Sequence, residues 1–480
     1  MHDQSTKLMR LPLISLLRAT KLTTYSPFST SSLRSLTMQA TDNTVKPPIV
    51  RKDGSHLVKC YVEDYDKLLA EKVNNLKTLL SWDKDVDVFE SERTNFRMRA
   101  NFQMWHDDPR NRVPSGFYYT MCEPGCGKDP CEVTNFPRGT PLINKLMADL
   151  LVVFKERPVI FENLFEVRFL TTQLQEAIIV LCYKRPLPAT WLSVAEEVCK
   201  ELSVKIVGRA RKMMQVAGGN ETVKEAYTVK GRTYSYYQTE GAFSQPNAGV
   251  CEKMLTWAMD QAEGSQNEDL LELYCGGGTF TAPMSTIFHT VIATEISKAS
   301  VELAHKNFAL NEITNIKVAR LSSEEFTDAY TGKTKFQRLI DNKIDLHSYK
   351  ISTVLVDPPR SGLDQNTCIL LSKFDKIIYI SCNPETLARD VAMLSATHRV
   401  QRVAAFDQFP YTHHLEGGVF LVKKDEVKAR ESNGGSCSTA VAATTDATSS
   451  GSSSDDKKHQ LDNNTNNTTT ETNKKQKLEE

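Results

Sequence analysis

The chain has 480 residues, 40% hydrophobic and 25% charged, which is material for roughly two to three domains with a sizeable core. Its 59 Lys and Arg balance 59 Asp and Glu. A uniformly basic coat is thereby excluded, so any nucleic-acid contact has to come from a local patch with only moderate salt dependence. No uninterrupted apolar run approaches the roughly 18 residues of a spanning helix, so no membrane association is expected. Eleven cysteines in a chain of this length do not resemble the short, cysteine-dense disulfide scaffolds, and a reducing compartment is the simpler reading.

Residues 1–40 carry five Lys/Arg against one acid and are rich in Ser, Thr and Leu. That composition predicts a disordered transit peptide for a mitochondrion or plastid. Without such an address the chain would be cytoplasmic. Residues 41–240 mix helical patterns (DYDKLLAEKVNNLKTLLS) with strand patterns (EAIIVLCYK), which predicts an α+β N-terminal domain. From 241 to 424 strands and helices alternate regularly, which predicts an α/β domain on a mostly parallel sheet. Residues 425–480 are low-complexity, hold seven Lys/Arg and ten Asp/Glu, and are expected to form a disordered tail.

In the α/β part, the apolar run DLLELYC reads as a buried strand followed at once by Gly276, Gly277 and Gly278. Glycines at a strand-to-helix turn let backbone approach a ligand closely. The next strand, TVIAT, ends at Glu295, where an acid can bind ribose hydroxyls. Two later strands end at Asp357, ahead of Pro358, Pro359 and Arg360, and at Cys382. Ligands of open parallel sheets bind beyond the carboxyl ends of strands. Tyr274, Glu295, Asp357 and Cys382 should therefore converge, and the strand, glycines, helix, second strand and terminal acid together point to an adenosine ligand. No GxxxxGK[ST] phosphate cradle is present. Spacing alone does not separate a dinucleotide from S-adenosylmethionine.

Asn383 and Pro384 suit the cap and first turn of a helix after Cys382. A thiol there faces partial positive charge, which predicts a stabilised thiolate and hence a nucleophile. Glu416, in FDQFPYTHHLEGGVFL, sits before a strand and suits general base work if desolvated. The adjacent His413 and His414 lack a second cluster at ligand spacing, so no metal is expected.

The motifs LLELYCGGGTF, VIATEISKASV, VDPPRSGLD, YISCNPETL, FDQFPYTHHLEGG and FSQPNA closely resemble those of the bacterial-type tRNA (uracil-54-C5)-methyltransferase family. FRMRANFQMWHDD, FPRGTPLINKLM and LFEVRFLTTQLQEAIIVL extend the resemblance over roughly residues 60–424. It implies a Rossmann-like class I methyltransferase sheet preceded by an α+β RNA-interacting domain. It also implies transfer of a methyl group from S-adenosylmethionine to C5 of uridine 54 in the T-loop of tRNA. On this resemblance Gln245, Tyr274, Thr279, Glu295 and Asp357 contact S-adenosylmethionine, Cys382 is the nucleophile and Glu416 the base. Arg97, Arg99 and Phe102 are candidate RNA contacts, since Arg and aromatic groups suit phosphate and base stacking. The same alternation also reads as an ordinary half-buried strand. No obligatory protein partner is expected.

Three departures stand out. Thr279 replaces the family's usual Asn. Gly417 stands where the pattern often has Cys. Cys122, Cys126 and Cys131 lie in a divergent stretch that could bind zinc with a fourth ligand such as His106, although a loop fits its spacing better. Related rRNA methyltransferases carry a small N-terminal β-barrel and a four-cysteine iron–sulfur site, and neither is visible. Methylation of rRNA at the same carbon, methylation of an amino group, and a non-catalytic tRNA-binding or tRNA-folding role are the alternatives.

Overall fold

The computed structural model describes residues 62–106, 117–121 and 131–425. The proposed transit peptide and nearly all of the tail lie outside the described residues, as do Cys122 and Cys126. Among the described residues no group of three or more His, Cys, Asp or Glu could hold a metal ion.

Seven strands form the first sheet. Their order is Cys131–Val133, Phe117–Met121, Arg99–His106, Leu164–Thr171, Ala177–Tyr183, Lys205–Ala210 and Met213–Ala217. One face is covered by helices Pro141–Glu156 and Trp191–Leu202, whose apolar stripes interlock with Phe102, Tyr119, Phe136 and Phe169. Thr140 starts the first of these helices by accepting from the Ile143 amide, and Pro141 supplies a fixed first turn.

The second sheet carries the crevice. Its framework is helix α1 (Tyr65–Leu79), strand β1 (Asp87–Phe89), helix α2 (Ala248–Gln261), β2 (Asp269–Leu273), β3 (Thr290–Thr294), helix α3 (Lys298–Leu310), β4 (Ile316–Ala319), β5 (Ile351–Val356), β6 (Lys376–Ser381), helix α4 (Pro384–Leu394), β7 (His398–Phe406) and β8 (Glu416–Lys423). The eight strands run in the order β1-β7-β8-β6-β5-β2-β3-β4. Neighbours from β6 to β4 are parallel, and β8 is antiparallel to both β6 and β7. Every residue of β2 is buried, as expected for a strand covered on both faces. The order reverses at β2, with β5 on one side and β3 on the other, which opens a crevice at the strands' carboxyl ends.

The domain boundary expected at residue 240 does not match this arrangement. Strand β1 pairs in parallel with β7, Asp87 opposite Ala404, so it is the edge of the second sheet. In α1 the buried positions are Tyr65, Leu69, Lys72 and Leu76, a single helical stripe. Leu76 belongs to the apolar cluster under β6 and β8. The hairpin of Thr222–Val229 with Arg232–Thr239 also packs toward this side. Its Tyr227 and Tyr236 are buried against α2, and Asn307 of α3 accepts from the Tyr237 amide at 2.7 Å. A three-residue strand whose partner is distant in the chain leaves no local pattern to read, which is why β1 was expected elsewhere.

Candidate active site

Four strand ends deliver the expected residues to one edge. Tyr274 follows β2, Glu295 follows β3, Asp357 follows β5 and Cys382 follows β6. The fifth group arrives from the opposite direction. Ser381 pairs with Gly417 and Phe406 with Glu416, so one further step along the antiparallel register brings residue 382 opposite Glu416. The nucleophile candidate and the base candidate are thus neighbours across two adjacent strands.

The charges around Cys382 differ from expectation. Its thiol pKa is pushed up to about 12, first by burial and then by Glu416 and Asp357, with Arg360 opposing. The expectation of a stabilised thiolate is corrected for the unliganded site, where burial and two carboxylates favour the protonated thiol. The helix itself forms as predicted, with Asn383 accepting from the Glu385 amide at 3.1 Å. Glu416 is buried, and its Oε2 has no hydrogen-bond partner. Burial holds its carboxyl well above the usual carboxylate range, Asp357 adds to the rise and Arg360 opposes it.

Arg360, which the sequence shows only as following Pro358 and Pro359, is a cation acting on both groups. Its carbonyl accepts from Asn383 Nδ2 at 3.1 Å and from Thr386 Oγ1 at 3.2 Å, so the helix after Cys382 fixes its backbone. Downstream, Asp390 accepts from the Leu363 amide at 2.8 Å and the Tyr379 hydroxyl at 2.6 Å. Gly362 has φ +72° and lies so close that a Cβ there would come within 2.6 Å of Asp390 Oδ2, so this turn requires glycine.

Glu272 was missed in sequence. It lies in β2, is buried, and has an Oε2 without a hydrogen-bond partner. Burial raises its pKa to about 8, Asp357 contributes, and the Thr281 hydroxyl opposes. An acid inside the otherwise apolar LLELY was the available signal.

The expected cofactor residues are placed as follows. Glu295 is fixed by two backbone amides, Gly276 to Oε2 at 3.1 Å and Ser297 to Oε1 at 2.7 Å. Tyr274 has φ +63° and donates its hydroxyl to Ser323 Oγ at 2.6 Å. Thr279 accepts through its carbonyl from the Tyr236 hydroxyl at 3.0 Å and lines a cleft with Phe243, Ser244, Gly277 and Asn307. Gln245 is buried and accepts from Gln408 Nε2 at 3.0 Å. Its neighbour Asn247 caps α2.

The three RNA candidates separate. Arg99 donates to the Ala242 carbonyl at 3.0 Å and the Ser244 hydroxyl at 3.2 Å, beside the cleft. Arg97 Nε donates to the Arg99 carbonyl at 2.8 Å. Phe102 is 1% exposed and sits edge-on to Phe136 at 5.3 Å. As a core ring it is unavailable for stacking on a base, which corrects that expectation; the alternation marked a half-buried strand. At Gly417, a Cβ would lie 2.8 Å from Leu387 and 3.4 Å from Leu76, so glycine here accompanies close packing of α1 and α4 over β8.

The family model described as tRNA (Uracil-5-)-methyltransferase matches residues 64–424. The tRNA/tmRNA (uracil-C(5))-methyltransferase of Acinetobacter baylyi is 48% identical over 339 residues, covering 70% of this chain and 92% of that protein. Its counterpart from Neisseria meningitidis serogroup B is 44% identical over 369 residues, covering 76% and 99%. Among solved structures, the tRNA (uracil-54, C5)-methyltransferase of Pyrococcus abyssi in complex with S-adenosyl-L-homocysteine superposes with a TM-score of 0.57. It is 22% identical and covers 76% of this chain and 86% of that one. That likeness shows a shared fold, a parallel methyltransferase sheet of the Rossmann-like class. With three quarters of its length matched by the family model, this chain belongs to the tRNA (uracil-5-)-methyltransferase family.

Proposed function

We propose that this protein transfers a methyl group from S-adenosylmethionine to carbon 5 of a uridine in tRNA, uridine 54 of the T-loop. The observation that carries the reading is the apposition of Cys382 and Glu416 at the end of β6 and start of β8, with Asp357 and Arg360 facing both.

The crevice fits the cofactor. Gly276 has φ +56° and nothing within 4 Å of where a Cβ would stand, so its backbone is open to a ligand, whereas Gly278, at φ +84°, makes room for the Phe308 ring of α3. Glu295, held by two amides, suits a ribose diol. Burial raises Glu272 to about 8 and Asp357 adds to the rise, so a cation bound beside this pair would be stabilised by their ionisation. S-adenosylmethionine supplies an electrophilic methyl group and a sulfonium charge that offsets the carboxylates around Cys382.

The protein's own residues then divide the reaction. Carbon 5 of uracil is a weak nucleophile. Cys382 gives up its thiol proton to solvent and the sulfur adds to carbon 6, the electron pair of the C5=C6 bond moves into an enolate, and its carbon 5 takes the methyl group. Glu416 removes the proton from carbon 5, the C5=C6 bond re-forms, and the S–C6 bond breaks to regenerate the thiolate. Burial raises the proton affinity of Glu416, which makes its ionised form a strong base for this step. The T-arm has to present its uridine outside the stack, and the exposed Phe243 ring at the cleft edge suits stacking on RNA.

Incubation with unmodified tRNA and methyl-labelled S-adenosylmethionine, followed by nucleoside analysis and mapping of the modified position, tests the proposal. The expected product is 5-methyluridine at position 54. Binding of tRNA without any 5-methyluridine would reject methylation in favour of a binding or folding role. Product in rRNA but not tRNA would reject the substrate.

A further inference from the structure

Helix α1 lies early in the chain, yet its buried stripe faces the loop that leads into Glu416. The Lys72 ammonium donates to Asp407 Oδ1 at 2.7 Å and to the Phe409 carbonyl at 2.9 Å. The two side chains are only 6% and 2% exposed. A buried ion pair is a costly way to hold two segments together, because both charges leave water and a hydrophobic pair would serve stability as well. Its retention at this point therefore asks for a positional explanation. Asp407 directly follows β7, and the loop 407–415 returns to Glu416, which pairs with Phe406. The Lys72 contacts flank Gln408, whose amide donates to Gln245. Other contacts from the same N-terminal region converge on this loop. The Tyr411 hydroxyl donates to the Arg93 carbonyl at 2.7 Å, the Tyr65 and Tyr411 rings meet edge-on at 5.9 Å, and Leu76 packs beside Gly417.

We propose that Lys72 is a positioning residue for the base: through Asp407 and the Phe409 carbonyl it holds the 407–415 loop so that the Glu416 carboxylate faces carbon 5 of the bound uridine. This rests on the methylation mechanism above. It assigns to α1 a part in proton removal rather than in RNA binding. Bond formation by Cys382 comes from β6 and α4, whereas the hydrogen bonds of Lys72 go to Asp407 and Phe409, so loss of Lys72 should slow proton removal selectively.

The test uses the full-length chain, tRNA carrying tritium at C5 of its uridines, and a single turnover. Two readouts are followed: tritium release, and the fraction of enzyme in an SDS-stable RNA adduct. Lys72→Met should release tritium about tenfold more slowly or worse while the adduct fraction rises above wild type. Asp407→Asn, which keeps an oxygen facing Lys72, should shift both in the same direction by a smaller factor and provides the folded comparison if Lys72→Met is unstable. Adduct and tritium release falling in proportion in the two variants would make the pair merely structural and overturn the proposal, as would unchanged release. Wild-type enzyme that forms no adduct even with 5-fluorouridine in the RNA would instead bring down the covalent mechanism itself.

Discussion

The two sheets bury very different things. Under the seven-stranded sheet lie rings and aliphatic side chains, Phe102 among Tyr119, Phe136 and Phe169. At the edge of the eight-stranded sheet, the carboxyl groups of Glu272, Asp357 and Glu416, the Cys382 thiol and the Arg360 guanidinium act on one another. Oxygens of Glu272 and Glu416 there have no hydrogen-bond partner. The first arrangement lowers the free energy of folding, and the second raises it. A fold keeps such a cluster where ligand charge will later compensate it, so the second sheet, and not the first, locates the chemistry.

The largest effect that could break this contrast is at Cys382. Cys382→Ala should lower methyl transfer by roughly four orders of magnitude or more, since no other group can form the bond to carbon 6. Methylation assays under single-turnover conditions read this, and residual turnover within tenfold of wild type would remove the nucleophile from the account. Glu416→Gln comes next, with a loss of roughly 10²–10⁴-fold. Its stability should move the other way. A carboxyl whose folded pKa is raised binds its proton more tightly folded than unfolded, so stability falls as pH rises from the ordinary carboxyl range toward the folded pKa. The amide escapes that loss. Glu416→Gln should therefore be more stable than wild type by about 1–2 kcal/mol at neutral pH and indistinguishable near pH 4. Equal pH dependence in the two proteins would show that Glu416 is not held neutral.

Phe102→Ala tests the other side of the contrast. It should cost about 3–5 kcal/mol of stability in denaturant titration, while tRNA affinity per folded molecule stays within twofold of wild type. A selective loss of affinity would restore Phe102 as an RNA contact. The smallest effect concerns the thiol's electrostatics. Arg360→Met should slow alkylation of Cys382 several-fold at pH 9, because Arg360 opposes the upward shift of the thiol. Glu416→Gln should speed it by a similar factor at that pH and by less where Glu416 is protonated. Opposite signs would invert the charge balance described for the site.

Much of this crevice was legible because each strand end carries its own signal. Buried runs such as DLLEL and IIYIS announce parallel strands, and the polar residue that ends each run must lie at the carboxyl edge. Tyr274, Glu295, Asp357 and Cys382 could be grouped on that basis alone. The register that brings Glu416 against Cys382 depends on β8 entering antiparallel between β6 and β7, which no local pattern specifies. Arg360 and Glu272 were hidden for a different reason. Their importance lies in the electrostatic company they keep, and a sequence does not list distances. The upward shift of the thiol was hidden for the same cause: a helix start is visible in Asn383-Pro384, whereas two facing carboxylates are not. Lys72 shows the limit most clearly. In α1 it occupies a core position of the helical stripe, and only the fold supplies Asp407 as its partner.

The most direct measurement is peptide mapping, by mass spectrometry, of the protein after reaction with S-adenosylmethionine and a T-arm RNA carrying 5-fluorouridine at position 54. Fluorine at carbon 5 cannot leave as a proton does, so the enzyme should stall with RNA attached. The account predicts one stoichiometric adduct, on the peptide containing Cys382, with the methyl group already transferred and no adduct from Cys382→Ala. An adduct on any other residue, or methylated RNA released with no adduct formed, would contradict it.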